Sequence, residues 1–372
     1  METIQKGDGS YAQAYRISSP AHLEAVKYRL DANFVQTNVI SLTSDFISDR
    51  YDQKTGMSGG KDMHGLFYPI GRMFYSVGGN GVTYAYGTGQ PFDNQEISSV
   101  GNMNDNPAVN SWQGMFRGYY DGGGYVITGL TMEIEATTSN SFFTGLFATI
   151  GETGVVRNLA VLNSKDMNMR FSGTQLPHLM MGSIAGYNAG LIQNCYRDGG
   201  VVTGTSTHGP TTMSIGGLVG YNAMTGNIYS SYNNSDVQCI KYYTPDQVPH
   251  NRGNNTGGIA ALNAGQIANC YNSGRIQSDY RRVNNTTSLT PTGQVDSNNK
   301  VGGIVGVNYG SDTSNIRSCG YYQHDLTPVI NPNNSSYMND RANYTYTNFN
   351  RVVYQALPAA GLSIRLRAGN QN

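Results

Sequence analysis

Ile215-Gly216-Gly217-Leu218-Val219-Gly220-Tyr221-Asn222, followed by Gly226-Asn227-Ile228-Tyr229-Ser230-Ser231-Tyr232, decides the fold because the chain writes this pattern several times. It returns as Met181-Gly182-Ser183-Ile184-Ala185-Gly186-Tyr187-Asn188, leading to Gly190-Leu191-Ile192-Gln193-Asn194-Cys195-Tyr196. It returns again as Thr256-Gly257-Gly258-Ile259-Ala260-Ala261-Leu262-Asn263, leading to Gly265-Gln266-Ile267-Ala268-Asn269-Cys270-Tyr271. A fourth copy opens at Val301-Gly302-Gly303-Ile304-Val305-Gly306-Val307-Asn308 and ends near Ile316-Arg317-Ser318-Cys319. A divergent early copy is Thr144-Gly145-Leu146-Phe147 with Gly154-Val155-Val156-Arg157-Asn158-Leu159. With Gly145, Gly182, Gly216, Gly257 and Gly302 in phase, the steps are 37, 34, 41 and 45 residues. A period in that range marks a repeat architecture.

Each copy holds short apolar runs punctuated by Gly and Asn, which read as short strands joined by turns. One copy cannot bury its apolar face, whereas stacked copies cover one another and pair as parallel strands. Recurrent Gly-Gly suits places where stacked backbones come close. Asn tolerates the left-handed conformation and can ladder from copy to copy at a bend. Cys195, Cys270 and Cys319 fall in one column, which Ser231 fills in the remaining copy. That column reads as small, slightly apolar side chains inside a stack, with a disulfide or a metal site as the alternatives. Strict alternation would put Cys195 on the face opposite Ile192, Asn194 and Tyr196 unless a bend intervenes.

The remaining composition agrees. Of 372 residues, 47 are Gly and 27 are Tyr, while only 13% are charged, against about 25% in an ordinary globular chain. Gly and Asn are too frequent for a helical bundle, and aromatic and aliphatic residues too frequent for a polar disordered polymer. The 24 basic and 24 acidic residues balance, and no Lys/Arg cluster occurs, which argues against nucleic acid or anionic lipid as a partner. No apolar run is long enough to cross a membrane as a helix, so no membrane insertion is expected. Met1 to Asp8 lacks the basic start and apolar stretch of a secretory signal.

The repeated string Gly-Gly-Leu-Val-Gly-Tyr-Asn, followed by Gly-x-Ile-x-Asn-Cys-Tyr, resembles the GLUG repeat of bacterial and phage surface proteins. The stretch from Phe116 to Leu130 is similar to the strand-turn entry that precedes such repeats. Tyr15-Arg16-Ile17-Ser18-Ser19-Pro20 with His22 to Val26 is similar to the family's N-terminal cap, and Pro69-Ile70-Gly71 to a short element between the two. The residues of the cap support this: Ser19 is a good N-cap, Pro20 suits the first helical position, and Leu23, Val26 and Leu30 share a helical face. The expected fold is all-β: a right-handed parallel β-helix (β-solenoid) with an N-terminal cap and a small C-terminal β module. Its parts are a cap over residues 1–71, a Gly/Asn/Tyr-rich insertion over 72–113, about five repeats over 114–325, and a C-terminal cap or attachment module over 326–372.

The unequal steps imply excursions at roughly 164–180, 203–214, 238–255 and 277–299, emerging on one flank where recognition residues commonly sit. The candidate ligand-binding residues there are Tyr242, Tyr243, Asn251, Arg252, Asn254, Tyr280, Arg281 and Arg282, with Tyr84 and Tyr86 in the insertion. Tyr and Arg present flat faces with hydrogen-bonding tips suited to sugars or a protein surface. No His-Glu-x-x-His zinc motif or phosphate-cradling loop occurs. Asp198, Asp236, Asp279 and Asp296 are the carboxylates available for glycan cleavage, but their offsets within the repeats differ, as those of solvated turn residues do. His178, His208 and His250 occupy three excursions without the short spacing of a metal site. No cofactor, metal or catalytic residue is therefore expected.

These observations point to a non-catalytic recognition protein that binds a host cell-surface glycan or protein. The expected setting is extracellular: a phage virion, as a tail-fibre or receptor-binding component that contacts other virion proteins through its termini, with a homo-oligomer possible. A bacterial surface adhesin and a tailspike-like polysaccharide depolymerase are the alternatives.

Overall fold

Short apolar runs bounded by Gly and Asn become short strands, and every copy of the repeat contributes at least one strand to each of four sheets. The computed structural model describes residues 9–42, 67–71, 74–75, 114–136, 141–162, 166–171, 178–207, 211–243, 254–283, 289–291, 300–309 and 315–321. The copy beginning at His178 shows the path. Its strands His178–Met181, Ala185–Asn188, Leu191–Gln193 and Tyr196–Ser206 belong to four different sheets. The next copy repeats the order with Thr212–Gly216, Val219–Asn222, Asn227–Tyr229 and Tyr232–Tyr243. The protein is thus all-β with parallel sheets; among the described strands only Phe74–Tyr75 and Leu289–Pro291 pair antiparallel.

The glycine phase of the sequence is the hydrogen-bond register. Met181 pairs with Thr144 and Ile215, and Gly216 pairs with Gly257, which pairs with Gly302. A β-carbon on Gly216, Gly257 or Gly302 would collide with the backbone oxygen of Val219, Ala260 or Val305, three residues on. Glycine is required there by close approach.

The turn between the third and fourth strands explains how Cys195 and Tyr196 can both be buried. Asn158, Asn194, Ser230, Asn269 and Ser318 all adopt φ between 49° and 55°, one per copy. This left-handed residue is the bend that breaks alternation, and the column behind it (Leu159, Cys195, Ser231, Cys270, Cys319) is buried. A second asparagine column forms the anticipated ladder: Asn188 Nδ2 donates to Asn222 Oδ1 at 2.8 Å, Asn222 to Asn263 at 2.8 Å, and Asn263 to Asn308 at 2.9 Å. Asn188, Asn222 and Asn263 are fully buried, so the ladder satisfies atoms that would otherwise be costly to bury.

One hydrophobic cluster runs through the stack from Ile17 and Phe34 to Ile316 and Cys319. The short helix Pro20–Ala25 lies at its N-terminal end. Ser19 Oγ accepts from the His22 amide at 3.2 Å, Leu23 and Val26 are buried in the cluster, and Leu30 packs against it.

The expected excursions are partly wrong. Residues 167–171, 178–181, 201–206, 212–216, 237–243 and 276–283 are strand, because Tyr196–Ser206, Tyr232–Tyr243 and Ile276–Val283 continue their ladder beyond the repeat motif. Alternation sustains them: Val202, Ser206, Val237, Cys239 and Lys241 face inward. The 72–113 insertion apart from Phe74–Tyr75, and the C-terminal segment 326–372, lie outside the described residues.

Candidate functional site

One sheet contains the strands Tyr15–Ile17, Asn33–Gln36, Tyr119–Asp121, Val155–Arg157, Leu191–Gln193, Asn227–Tyr229, Gln266–Ala268 and Ile316–Arg317, in that spatial order. In each three-residue strand from Tyr119 onward the central residue points inward: Tyr120, Val156, Ile192, Ile228 and Ile267 are fully buried. The flanking residues point outward. In-register pairing sets Arg157 beside Asp121, one layer apart. Arg157 Nε and Nη2 both reach Asp121 Oδ2 at 2.9 Å. Asp121 Oδ1 accepts from the Gly123 amide at 2.9 Å and from Asn158 Nδ2 at 3.0 Å. The Tyr119 hydroxyl completes the set at 3.4 Å from Oδ2.

Burial alone would raise the Asp121 carboxyl, but the donors from Asn158, Gly123 and Arg157 outweigh it and hold it below the usual carboxylate range. Burial likewise opposes charge on Arg157, and Asp121 overrides it, keeping the guanidinium firmly protonated. The Tyr119 phenol is pushed up to about 12, first by partial burial and then by the Asp121 charge, so it remains a neutral donor. The Arg157 guanidinium also lies 4.8 Å from the centre of the Tyr119 ring.

Beside this network the chain before the first strand folds over the sheet and leaves a cleft of about 520 Å³, lined in part by Tyr11, Gln13, Arg16 and Asn33. Tyr11 meets the Tyr119 ring edge-on at 5.5 Å and is itself 76% exposed. The cleft therefore offers aromatic surface, a held guanidinium, a second arginine and amide groups. Its one carboxylate is saturated with donors and held ionised, which suits positioning better than proton transfer.

The residues expected to bind ligand are not gathered in this cleft. Tyr242 and Tyr243 lie on the strand Tyr232–Tyr243, and Tyr280, Arg281 and Arg282 on Ile276–Val283; Tyr242 pairs with Arg281 and Tyr243 with Arg282. They are strand rather than loop positions. Asn254 is buried at 0% exposure, which removes it as a surface contact. Asn251, Arg252, Tyr84 and Tyr86 lie outside the described residues. Among the carboxylates, Asp236 accepts from the Arg275 amide at 2.8 Å and Asp198 accepts from Asn234 at 2.8 Å, the work of turn and ladder residues. Asp279 is a strand position paired with Ile240, and Asp296 lies outside the described residues. His178 is buried with its Nε2 2.8 Å from Ser214 Oγ, while His208 and His250 are outside the described residues. Gly56-Met57-Ser58-Gly59-Gly60, which spells a Gly-x-Ser-x-Gly string, is outside them as well. Among the described residues no three His, Cys, Asp or Glu side chains are placed to hold a metal ion.

The signal for the cleft is present in the sequence but diluted. Gly118, Gly154, Gly190, Gly226 and Gly265 each precede a strand of the same sheet, so Tyr119-Tyr120-Asp121 aligns with Val155-Val156-Arg157. Treating Phe116 to Leu130 as an entry segment, rather than as one more copy, hides that Asp121 and Arg157 are neighbours.

No family model and no curated protein matches the chain. A solved structure of similar shape is that of a candidate immunoglobulin A1 protease from Bacteroides ovatus. The likeness has a TM-score of 0.41 at 15% identity and covers 86% of this chain and 78% of that one.

Proposed function

We propose that this chain is an extracellular recognition protein that binds a cell-surface glycan in the Tyr11–Tyr119–Arg157 cleft. Its scaffold is a right-handed parallel β-solenoid of GLUG-like repeats. In support of that scaffold, the chain visits its four sheets in one constant order, and parallel crossovers are right-handed in about 98% of cases. The observation that carries the binding reading is the exposed Tyr11 ring set against the half-buried Tyr119 ring, beside a guanidinium held in place by a saturated carboxylate. Tyrosine rings pack on the apolar faces of sugar rings, while guanidinium and amide groups bond their hydroxyls and carboxylates. Arg16 and Arg157 against Asp121 leave the cleft one positive charge in excess, which favours an acidic saccharide over a neutral one.

The setting we favour is a phage tail fibre or receptor-binding component, with a bacterial surface adhesin second. The saturated state of Asp121 favours binding over glycan cleavage. The test is direct binding of the full chain to a panel of acidic and neutral bacterial polysaccharides. Acidic members should bind, more weakly as salt rises, and Arg157→Ala should weaken binding at least about tenfold, a loss of about 1.4 kcal/mol. Equal binding by wild type and variant, or no binding across the panel, would reject the cleft.

A further inference from the structure

The buried cysteine column contains one pair in adjacent layers. Each column residue follows the same left-handed turn residue, with φ 55° at Asn269 and 51° at Ser318, so Cys270 and Cys319 leave the backbone in the same direction. The Gly320 amide donates to the Cys270 carbonyl at 3.0 Å, which fixes the two residues in consecutive layers. Each thiol is aimed at the carbonyl two residues back, Cys270 at Ala268 (3.3 Å) and Cys319 at Arg317 (3.2 Å). Neighbouring parallel strands are about 4.8 Å apart, inside the window of about 4.4–6.8 Å between α-carbons that a disulfide spans. The other cysteines are out of reach. Ser231 separates Cys195 from Cys270 by a layer, and Cys239 lies in a different column, paired with Gly204 and Ser278.

We propose that Cys270 and Cys319 are a disulfide-forming pair that fastens the repeat ending at Tyr321 to the one before it. The oxidant is a small disulfide of the kind met outside cells. The Cys319 thiolate attacks one sulfur of that disulfide, whose S–S bond breaks and whose other half leaves as a thiol after taking up a proton. The Cys270 thiolate then attacks the Cys319 sulfur of the mixed disulfide, expelling the second small thiol. Two protein S–H bonds are lost and one S–S bond is gained, while the oxidant is reduced to two thiols.

Position and electrostatics agree on Cys319 as the first nucleophile. Cys319 is 3% exposed, whereas Cys270 is fully buried, so Cys319 is the one a small disulfide reaches first. The neighbouring Cys270 side chain holds the Cys319 thiol below the ordinary thiol range, whereas burial raises Cys270. Cys195, deep in the stack, is pushed up to about 12 by burial and is a poor nucleophile.

The test treats the full folded chain with excess oxidised glutathione, then denatures, alkylates and maps peptides by mass spectrometry. The expected product has lost about 2 Da, links the peptides of Cys270 and Cys319, and leaves Cys195 and Cys239 alkylated, through the balanced exchange above. Hydrogen exchange over residues 300–321 should slow several-fold in this product. Cys319→Ser should abolish the link, and Ser231 in the same column indicates that serine is accommodated there. Cys195→Ser should leave the link intact. Alkylation of all four cysteines after prolonged oxidation, a stable glutathione adduct, or a link through Cys195 or Cys239 would each overturn the proposal.

Discussion

The two faces of one sheet follow opposite rules. Along its inward column the residues are Tyr120, Val156, Ile192, Ile228, Ile267 and Ile316, all apolar and all buried. Along the outward column one position later they are Asp121, Arg157, Gln193, Tyr229, Ala268 and Arg317, with a change of chemistry at nearly every layer. The inward column is set by the need of each layer to cover the next. The outward column is free of that need, and the N-terminal part of it holds an ion pair that lies beside two tyrosines and a cleft. Repetition in this chain therefore marks support, and departure from repetition marks the surface on which we propose recognition.

Breaking the inward side should have the largest effect. Ile228→Ala removes a fully buried side chain from the middle of the stack and should cost about 2–5 kcal/mol, read as a fall in the urea midpoint. The asparagine ladder should be next. Asn222→Ala leaves Asn188 and Asn263 without their shared partner and should cost about 1–3 kcal/mol in the same assay. If both substitutions were neutral, the layers would not share an interior.

The outward side should respond in binding rather than in stability. Asp121 has its folded-state carboxyl below the ordinary range, so its contribution is present above the unfolded carboxylate value, near 3.9, and is lost as pH falls through the folded value. Saccharide affinity measured by pH titration should fall on that acid limb, and Asp121→Asn should flatten it. The smallest effect belongs to Gln193, outward and next in the column after Arg157. Gln193→Ala should shift stability by less than about 0.5 kcal/mol and leave binding unchanged by calorimetry. A large effect at Gln193 would extend the recognition face along the sheet.

Much of the support is legible in the sequence because it is written several times. The Gly145–Gly302 phase is the ladder register, the Asn188 column is a hydrogen-bonded ladder, and Ser19-Pro20 opens a helix. The left-handed column is only half visible, since Ser230 and Ser318 occupy a conformation that asparagine favours. The segments C-terminal to the motif copies look like loops for the converse reason. Val201 to Ser206 and Val237 to Lys241 share too little sequence to be recognised as one ladder, yet they pair in register, with Val202 beside Val237 and Gly204 beside Cys239. The cleft is hidden because its members Tyr11, Tyr119 and Arg157 come from segments joined by the stack rather than by sequence proximity.

The most direct measurement is hydrogen–deuterium exchange of the full chain with and without the tightest-binding acidic polysaccharide of the panel. The predicted result is slower exchange confined to residues 11–16, 119–123 and 155–158, around Tyr11, Asp121 and Arg157. Slower exchange at 237–243 and 276–283 instead, with those three segments unchanged, would contradict it and move recognition to the extended strands.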